Sequence, residues 1–237
     1  MNAVNNSVIS EHFDNIAKDY DTYKSNNSYY YSLIKNIYGG LLTDSKNLNI
    51  LELGCGSGGI LNHLNPRKGV GVDISHKMVE IAKRKYAGSE NLSFFTGSID
   101  DQAFMRQVFS GKSFDYCIMP DTIEHLTDIN KAFCVLSSVI DRRTKVIVTW
   151  VNPLWSPILD LLEFLKLKMP EGQHRWPSSE EVVTLLGLNK FKVINRGWRV
   201  LLPLDIPFVS DFVNSFIWRL PLLRRLCLIQ YIEFKSM

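Results

Sequence analysis

An α/β fold with a doubly wound, mostly parallel sheet is predicted by three features of this sequence. Short apolar runs of strand length alternate with helical patterns from residue 48 to residue 151. Those runs, among them residues 48–53, 69–73 and 145–151, are too uniformly apolar to present a wet face, as expected of strands covered by helices on both sides. A glycine-rich turn, with glycines at 54, 56, 58 and 59, joins the first run to a helical pattern, and Asp73 closes the second.

Taken in order, residues 7–18 and 27–38 read as helices, the second carrying Tyr29, Tyr30, Tyr31 and Tyr38 and stopping at Gly39-Gly40. The strand over 48–53 leads into a short helix after Gly58. The second strand, 69–73, leads into a helix over 75–86, with Ser75 as N-cap and Met78, Val79, Ile81 and Ala82 inward. Residues 92–96 and 114–119 are the third and fourth strands, 129–140 a helix and 145–151 the fifth strand. Residues 154–167 are apolar and helical in pattern, and Pro177-Ser178-Ser179-Glu180-Glu181 opens a helix that ends at Leu188. Strands at 191–199 and 227–235 complete a Rossmann-like sheet of seven. The segment between them, 200–226, is too long for a structureless hairpin loop and is expected to be an insertion with its own structure. Phe208, Val209, Phe212, Val213, Phe216 and Ile217 recur on one side, with Ser210, Asp211, Asn214 and Ser215 opposite, which predicts an amphipathic helix. The expected organisation is one domain over 1–237, with a helical cap at 1–40 and the 200–226 insertion as a lid.

Composition narrows the class. Apolar residues at 46% and charged residues at 22% suit a globular domain, with disorder confined to the first residues, MNAVNNS. A net charge of +3 with no basic run argues against nucleic acid. Cys55, Cys117, Cys134 and Cys227 lack zinc spacing and are expected to be buried free thiols in a reducing compartment. With no signal peptide and no run of about 18 apolar residues, the expected location is cytoplasmic. Arg224 and Arg225 beside leucines leave a peripheral membrane contact open, and the sequence says nothing of oligomeric state.

The glycine turn lets backbone approach a ligand where a Cβ would collide, and an acid at the tip of the next strand is placed to accept hydrogen bonds from a ribose diol. Together they describe a pocket for an adenosine-containing cofactor. Gly54, Gly56 and Gly59 also satisfy the dinucleotide pattern, so an NAD-dependent oxidoreductase is an alternative. Glu52 tilts the balance, because a carboxylate inside the strand serves a cationic sulfonium or amino group better than a pyrophosphate.

The blocks LELGCGSGG, GVDIS, FDYCIMPDTIEHLTD and KVIVTWVNP, in order and with fitting gaps over roughly residues 10–152, resemble the class I S-adenosylmethionine-dependent methyltransferases. They resemble in particular the broad group that includes the ubiquinone-pathway O-methyltransferases. The resemblance implies S-adenosylmethionine as cofactor and a small-molecule acceptor as substrate. It implies that Gly54, Gly56 and Gly58 meet the methionine part, supported by Glu52, and that Asp73 holds both ribose hydroxyls. Ile74 and Met78 would lie on the adenine face, with Ser98 and Ile99 beyond the third strand. Ser98 stands where the family commonly has an acid. Tyr20, in AKDYDTY, matches an aromatic that closes over the cofactor in relatives.

A hydroxyl or amine acceptor must lose a proton during transfer, which calls for a base or a metal. Asp121, Glu124 and His125 after the fourth strand are the candidates. Three- and four-residue spacing on a helical turn would face them together, with His125 as base. The same triplet is where a divalent cation meets the acceptor in the ubiquinone group. The residues themselves name no metal ligand. An apolar cap of Trp155, Phe164, Trp176, Phe208, Phe212 and Trp218 over the open end suggests a lipophilic or aromatic acceptor, and His174, Arg175 and Arg219 could meet an anionic group on it. O-methylation is the leading reading. A non-catalytic, cofactor-binding member of the fold is the third.

Overall fold

A computed structural model describes residues 6–165, 168–170, 172 and 174–237. Among these, seven strands form one sheet: β1 (Asn49–Leu53), β2 (Lys68–Asp73), β3 (Leu92–Thr96), β4 (Tyr116–Pro120), β5 (Lys145–Val151), β6 (Phe191–Arg199) and β7 (Ile229–Ser236). Their order is β3-β2-β1-β4-β5-β7-β6. Neighbours from β3 to β5 are parallel, and β7 runs antiparallel to both β5 and β6. The seven-stranded, mostly parallel sheet expected from the sequence is present. Strand order reverses between β1 and β4, and a crevice opens there past the carboxyl ends of the strands.

The helices are α1 (Asn6–Ile16), α2 (Tyr20–Asn26), α3 (Ser28–Leu41), α4 (Gly59–Leu64), α5 (His76–Lys85), α6 (Gln102–Phe109), α7 (Ile129–Val139), α8 (Ser156–Phe164), α9 (Ser179–Leu188) and α10 (Val209–Ser215). Alternation along β5 shows why both sheet faces are covered. Val146, Val148 and Trp150 join one buried cluster with Phe133, Phe191 and Phe234, whereas Ile147 and Val151 join the other with Ile34, Tyr38 and Val79. Side-chain caps start several helices: Ser75 Oγ accepts from Met78 N (3.1 Å), Asp128 from Lys131 N and Ser178 from Glu181 N.

The structure corrects several expectations. Helix α3 passes through Gly39-Gly40, because Ile34, Ile37 and Tyr38 bury its inner stripe and the two glycines face open space. Helices α2 and α6 were not expected; α6 forms because Asp101 caps it and Met105 and Val108 are buried. Asn6 and Ser7 lie within α1, while residues 1–5 fall outside the described residues. So do residues 166 and 167 of the helix expected over 154–167, where α8 ends at Phe164. Cys134 is exposed on α7, unlike the other three free cysteines. In the insertion, α10 is only 7 residues long, followed by 3-10 turns at Ile217–Arg219 and Arg224–Leu226.

Candidate active site

The turn after β1 is shaped by three glycines in left-handed backbone, Gly54 (φ 77°), Gly56 (φ 51°) and Gly58 (φ 78°). A Cβ on Gly54 would collide with the Thr122 side chain. One on Gly56 would lie 3.0 Å from Tyr20 Oη. Gly54 and Gly56 line the crevice. Gly58 does not: a Cβ there would meet the Phe94 and Tyr86 rings, so this glycine permits packing of the turn on the sheet.

Asp73, at the tip of β2, uses both carboxylate oxygens to order that turn: Oδ2 accepts from Gly56 N (2.7 Å) and Oδ1 from Ser75 N (2.9 Å). Burial raises its pKa and the two backbone bonds oppose the shift. Each oxygen retains capacity for a further hydrogen bond, and Asp73 lines the crevice. Glu52 is fully buried in β1, with Oε2 accepting from Leu61 N of α4 (3.0 Å). Desolvation lifts its pKa to about 8, with Lys24 as the main opposing charge. A cation placed beside this buried carboxyl would favour its ionised form.

The N-terminal helices close the crevice from above, and hydrogen bonds fasten them there. Ser57 Oγ donates to Asp21 of α2 (2.7 Å), whose other oxygen pairs with Lys85 (2.8 Å), and Ser75 Oγ donates to Asp14 of α1 (2.5 Å). Tyr20 reaches in from α2, its hydroxyl pKa raised by burial and then by Asp73 and Glu52. Lys24 Nζ sits 4.3 Å from the Tyr20 ring centre and 4.9 Å from that of Tyr31. Ile74, Met78, Ser98 and Ile99 line the far wall. Two residues beyond Ser98, Asp100 lines the same wall, buried, held by Ser98 Oγ, Asn6 Nδ2 (2.9 Å) and Lys131 Nζ (3.3 Å). Sequence reasoning missed Asp100, Asn6, Lys24 and Tyr30 as wall residues. The string GSID held the signal for the first, since a turn can bring its fourth residue to the place of its second.

Asp121, Glu124 and His125 all line the same crevice, but not through one helical turn. Only Ile123–His125 is helical, as a 3-10 turn, and Asp121 precedes it with φ 44°. Asp121 accepts from Tyr30 Oη (3.2 Å) and Thr149 Oγ1 (3.0 Å), and Tyr38 Oη donates to that threonine (3.2 Å). Glu124 is buried against β5, with Val151 N at 3.5 Å from Oε1. The His125 ring packs edge-on against Phe13 (5.2 Å between centres) and lies 6.2 Å from His174. Among the described residues, no group of three or more His, Cys, Asp or Glu is placed to hold a metal ion.

The residues of the expected apolar cap do not line this opening. Trp155, Phe164, Trp176, Phe208, Phe212 and Trp218 are absent from its walls, to which the region from Pro153 to Met237 contributes only Met169 among the described residues. Arg175 pairs with Glu181 (2.6 Å), and Arg219 points to solvent beside Trp218. His174 sits behind His125, edge-on to Trp176 at 4.7 Å.

With this fold and crevice, residues 44–184 match the family model described as a methyltransferase domain. The chain belongs to that family, the class I S-adenosylmethionine-dependent methyltransferases, and the NAD-dependent alternative is set aside. A ubiquinone biosynthesis O-methyltransferase from Pelagibacter ubique is 22% identical over 72% of this chain and 76% of its own. A malonyl-[acyl-carrier protein] O-methyltransferase from Ilyobacter polytropus is 26% identical over 90% of this chain and 75% of its own. In three dimensions the chain is similar to a magnesium protoporphyrin IX methyltransferase from Synechocystis solved with S-adenosylhomocysteine, with TM-score 0.69 and 16% identity over 98% of this chain and all of that one. No helix among the described residues is long and apolar enough to cross a membrane.

Proposed function

We propose that the protein methylates a hydroxyl oxygen of a small-molecule acceptor, with His125 as the general base. The observation that carries this reading is that one crevice is lined both by Glu52, Gly54, Gly56 and Asp73 and by Asp121, Glu124 and His125. The names of the two sequence relatives, both O-methyltransferases, favour oxygen over nitrogen or carbon.

The residues suit the cofactor. Gly54 and Gly56 leave room for close approach, Glu52 offers a dry carboxyl to a cation, and the spare lone pairs of Asp73 suit a ribose diol. Ile74, Met78, Ser98 and Ile99 form the adenine wall, with Asp100 as the acid facing its amino group, and Tyr20 closes the top. Bound there, S-adenosylmethionine supplies an electrophilic methyl group on a good leaving group. The protein's remaining tasks are alignment, exclusion of water and removal of one proton. Tyr30 and Thr149 fix Asp121 at the edge of the acceptor space, Phe13 and His174 hold the His125 ring, and one imidazole nitrogen takes the acceptor proton. The helices α1 and α2 keep water out.

The test is an acceptor screen with phenols, carboxylic acids and amines, read as S-adenosylhomocysteine release with mass spectrometry of the product. An O-methylated product that His125→Ala fails to make supports the reading. Methylation only at nitrogen or carbon, or cofactor binding with no turnover on any acceptor, overturns it.

A further inference from the structure

Helix α10 is folded inside out. Two of its polar residues, Ser210 and Asn214, face the protein, while Asp211 and Ser215 are exposed: Ser210, only 1% exposed, accepts from Ile206 N (3.0 Å) and donates to Leu204 O. Asn214 accepts from Leu201 N (2.9 Å) and Leu202 N (3.0 Å) and donates to Leu202 O (2.7 Å). The apolar residues face outward, with Phe208 at 91% exposure and Val209, Phe212 and Phe216 about half exposed. In water an amphipathic helix turns the other way.

The neighbouring α8 repeats the arrangement. Trp155 and Leu159 pack on the core, yet Leu154, Ile158, Leu161 and Leu165, spaced four, three and four apart, form an exposed outer stripe, and Phe164 beside it is 82% exposed. Trp155 Nε1 donates to Leu226 O (2.8 Å) and Asn152 Nδ2 to Arg225 O (2.9 Å), so the start of α8 and the end of the insertion are joined.

Charge tells what would cover these surfaces. Residues 212–226 carry Arg219, Arg224 and Arg225 and no acid, and all three arginines are exposed among Leu220, Leu222 and Leu226. Arg219 lies 5.7 Å from the Trp218 ring and Arg224 5.6 Å from that of Trp198, pairing indole with guanidinium where apolar and charged residues meet. Asp211 of α10 and the acids of α8 offset this in part, though Asp211 accepts from Tyr29 Oη (3.3 Å) and Glu163 is paired with Lys168 at 3.6 Å. Protruding aromatic and leucine side chains beside unopposed arginines match an interface of acyl chains and anionic headgroups.

We infer that α10, the turns after it and the outer stripe of α8 form a docking surface for a bilayer containing anionic lipid. The inference rests on this surface alone and not on the acceptor or on the role of His125.

The test is flotation of the full chain with vesicles of phosphatidylcholine, alone and mixed with phosphatidylglycerol, beside light scattering without lipid. Binding is expected to the anionic vesicles, weakening with salt. Arg224→Ala/Arg225→Ala should lower the partition coefficient roughly 25-fold, about fivefold for each arginine, and Phe208→Ser/Phe212→Ser roughly tenfold or more. Both variants should keep the parent's S-adenosylhomocysteine affinity, which separates lost docking from lost folding. No binding to anionic vesicles overturns the inference, as does equal binding to neutral ones. A dimer that these substitutions dissociate, without lipid binding, assigns the surface to a second copy and overturns it too.

Discussion

The parallel half of the sheet, β3-β2-β1-β4, and the antiparallel end formed by β7 and β6 are built to different rules. In the parallel half the informative residues are small or charged, and backbone geometry fixes what each can do. Gly54 has room only for hydrogen, Gly56 takes a left-handed conformation close to Tyr20, Asp73 is bonded to two backbone amides, and Glu52 is almost wholly buried. At the antiparallel end the 200–226 insertion is mostly exposed, and its apolar side is turned away from the protein. A residue type that demands one backbone conformation announces its place. A periodic pattern announces a helix but not which way it faces.

That contrast breaks most visibly if a glycine of the turn tolerates a side chain. Gly56→Val sets a branched carbon near Tyr20 Oη at a φ of 51°, and S-adenosylhomocysteine affinity measured by calorimetry should fall beyond detection. The control is Gly39→Ala on α3, where a Cβ meets nothing, and a gain of about 0.5–1 kcal/mol in stability is expected. Native affinity in Gly56→Val would move the cofactor away from this turn.

His125→Ala is next in size. A general base contributes about 10²–10⁴-fold, so turnover on an identified acceptor should fall by that order while cofactor affinity stays within a few-fold. Equal losses in both would make His125 part of the cofactor wall, and near-native turnover would place proton removal elsewhere.

Much of the parallel half was legible because its motifs are local. The strand–glycine turn–helix unit, Asp73 one strand later and the PDTIEH block each lie within a short stretch, and the sheet brings them together. Asp100 was hidden because its role depends on how the loop after β3 curls back toward Asn6. The shared face expected for Asp121, Glu124 and His125 assumed an α-helical turn, whereas Asp121 takes a left-handed conformation and a 3-10 turn follows. The insertion misled for a further reason: nothing in a hydrophobic period distinguishes a core on one side from a different solvent on the other.

A smaller effect tests burial in the parallel half. Glu52 rises from an ordinary 4.5 to about 8 on burial. Between those values the folded state alone holds the proton, so stability should fall as pH rises through this window and level off above it. The expected loss is of order a few kcal/mol. Glu52→Gln keeps an oxygen for Leu61 N and should flatten the slope, checked by urea midpoints at about pH 5 and about pH 8. Parallel slopes in the two proteins would mean that Glu52 is ionised in the fold.

The finest distinction lies within α10, where the ordinary ranking of core and surface should be reversed. Asn214→Ala removes an acceptor shared by two backbone amides and a donor to Leu202 O, and the orphaned groups should cost about 1–3 kcal/mol. Phe208→Ser removes a side chain that is almost wholly in water, and stability should change by no more than about 0.5 kcal/mol. Both are read from thermal or urea unfolding without lipid, with hydrogen exchange over residues 200–215 separating local from global loss. If the phenylalanine substitution proves the costlier, α10 in solution turns its apolar side to the protein, and the two ends of the sheet follow one rule after all.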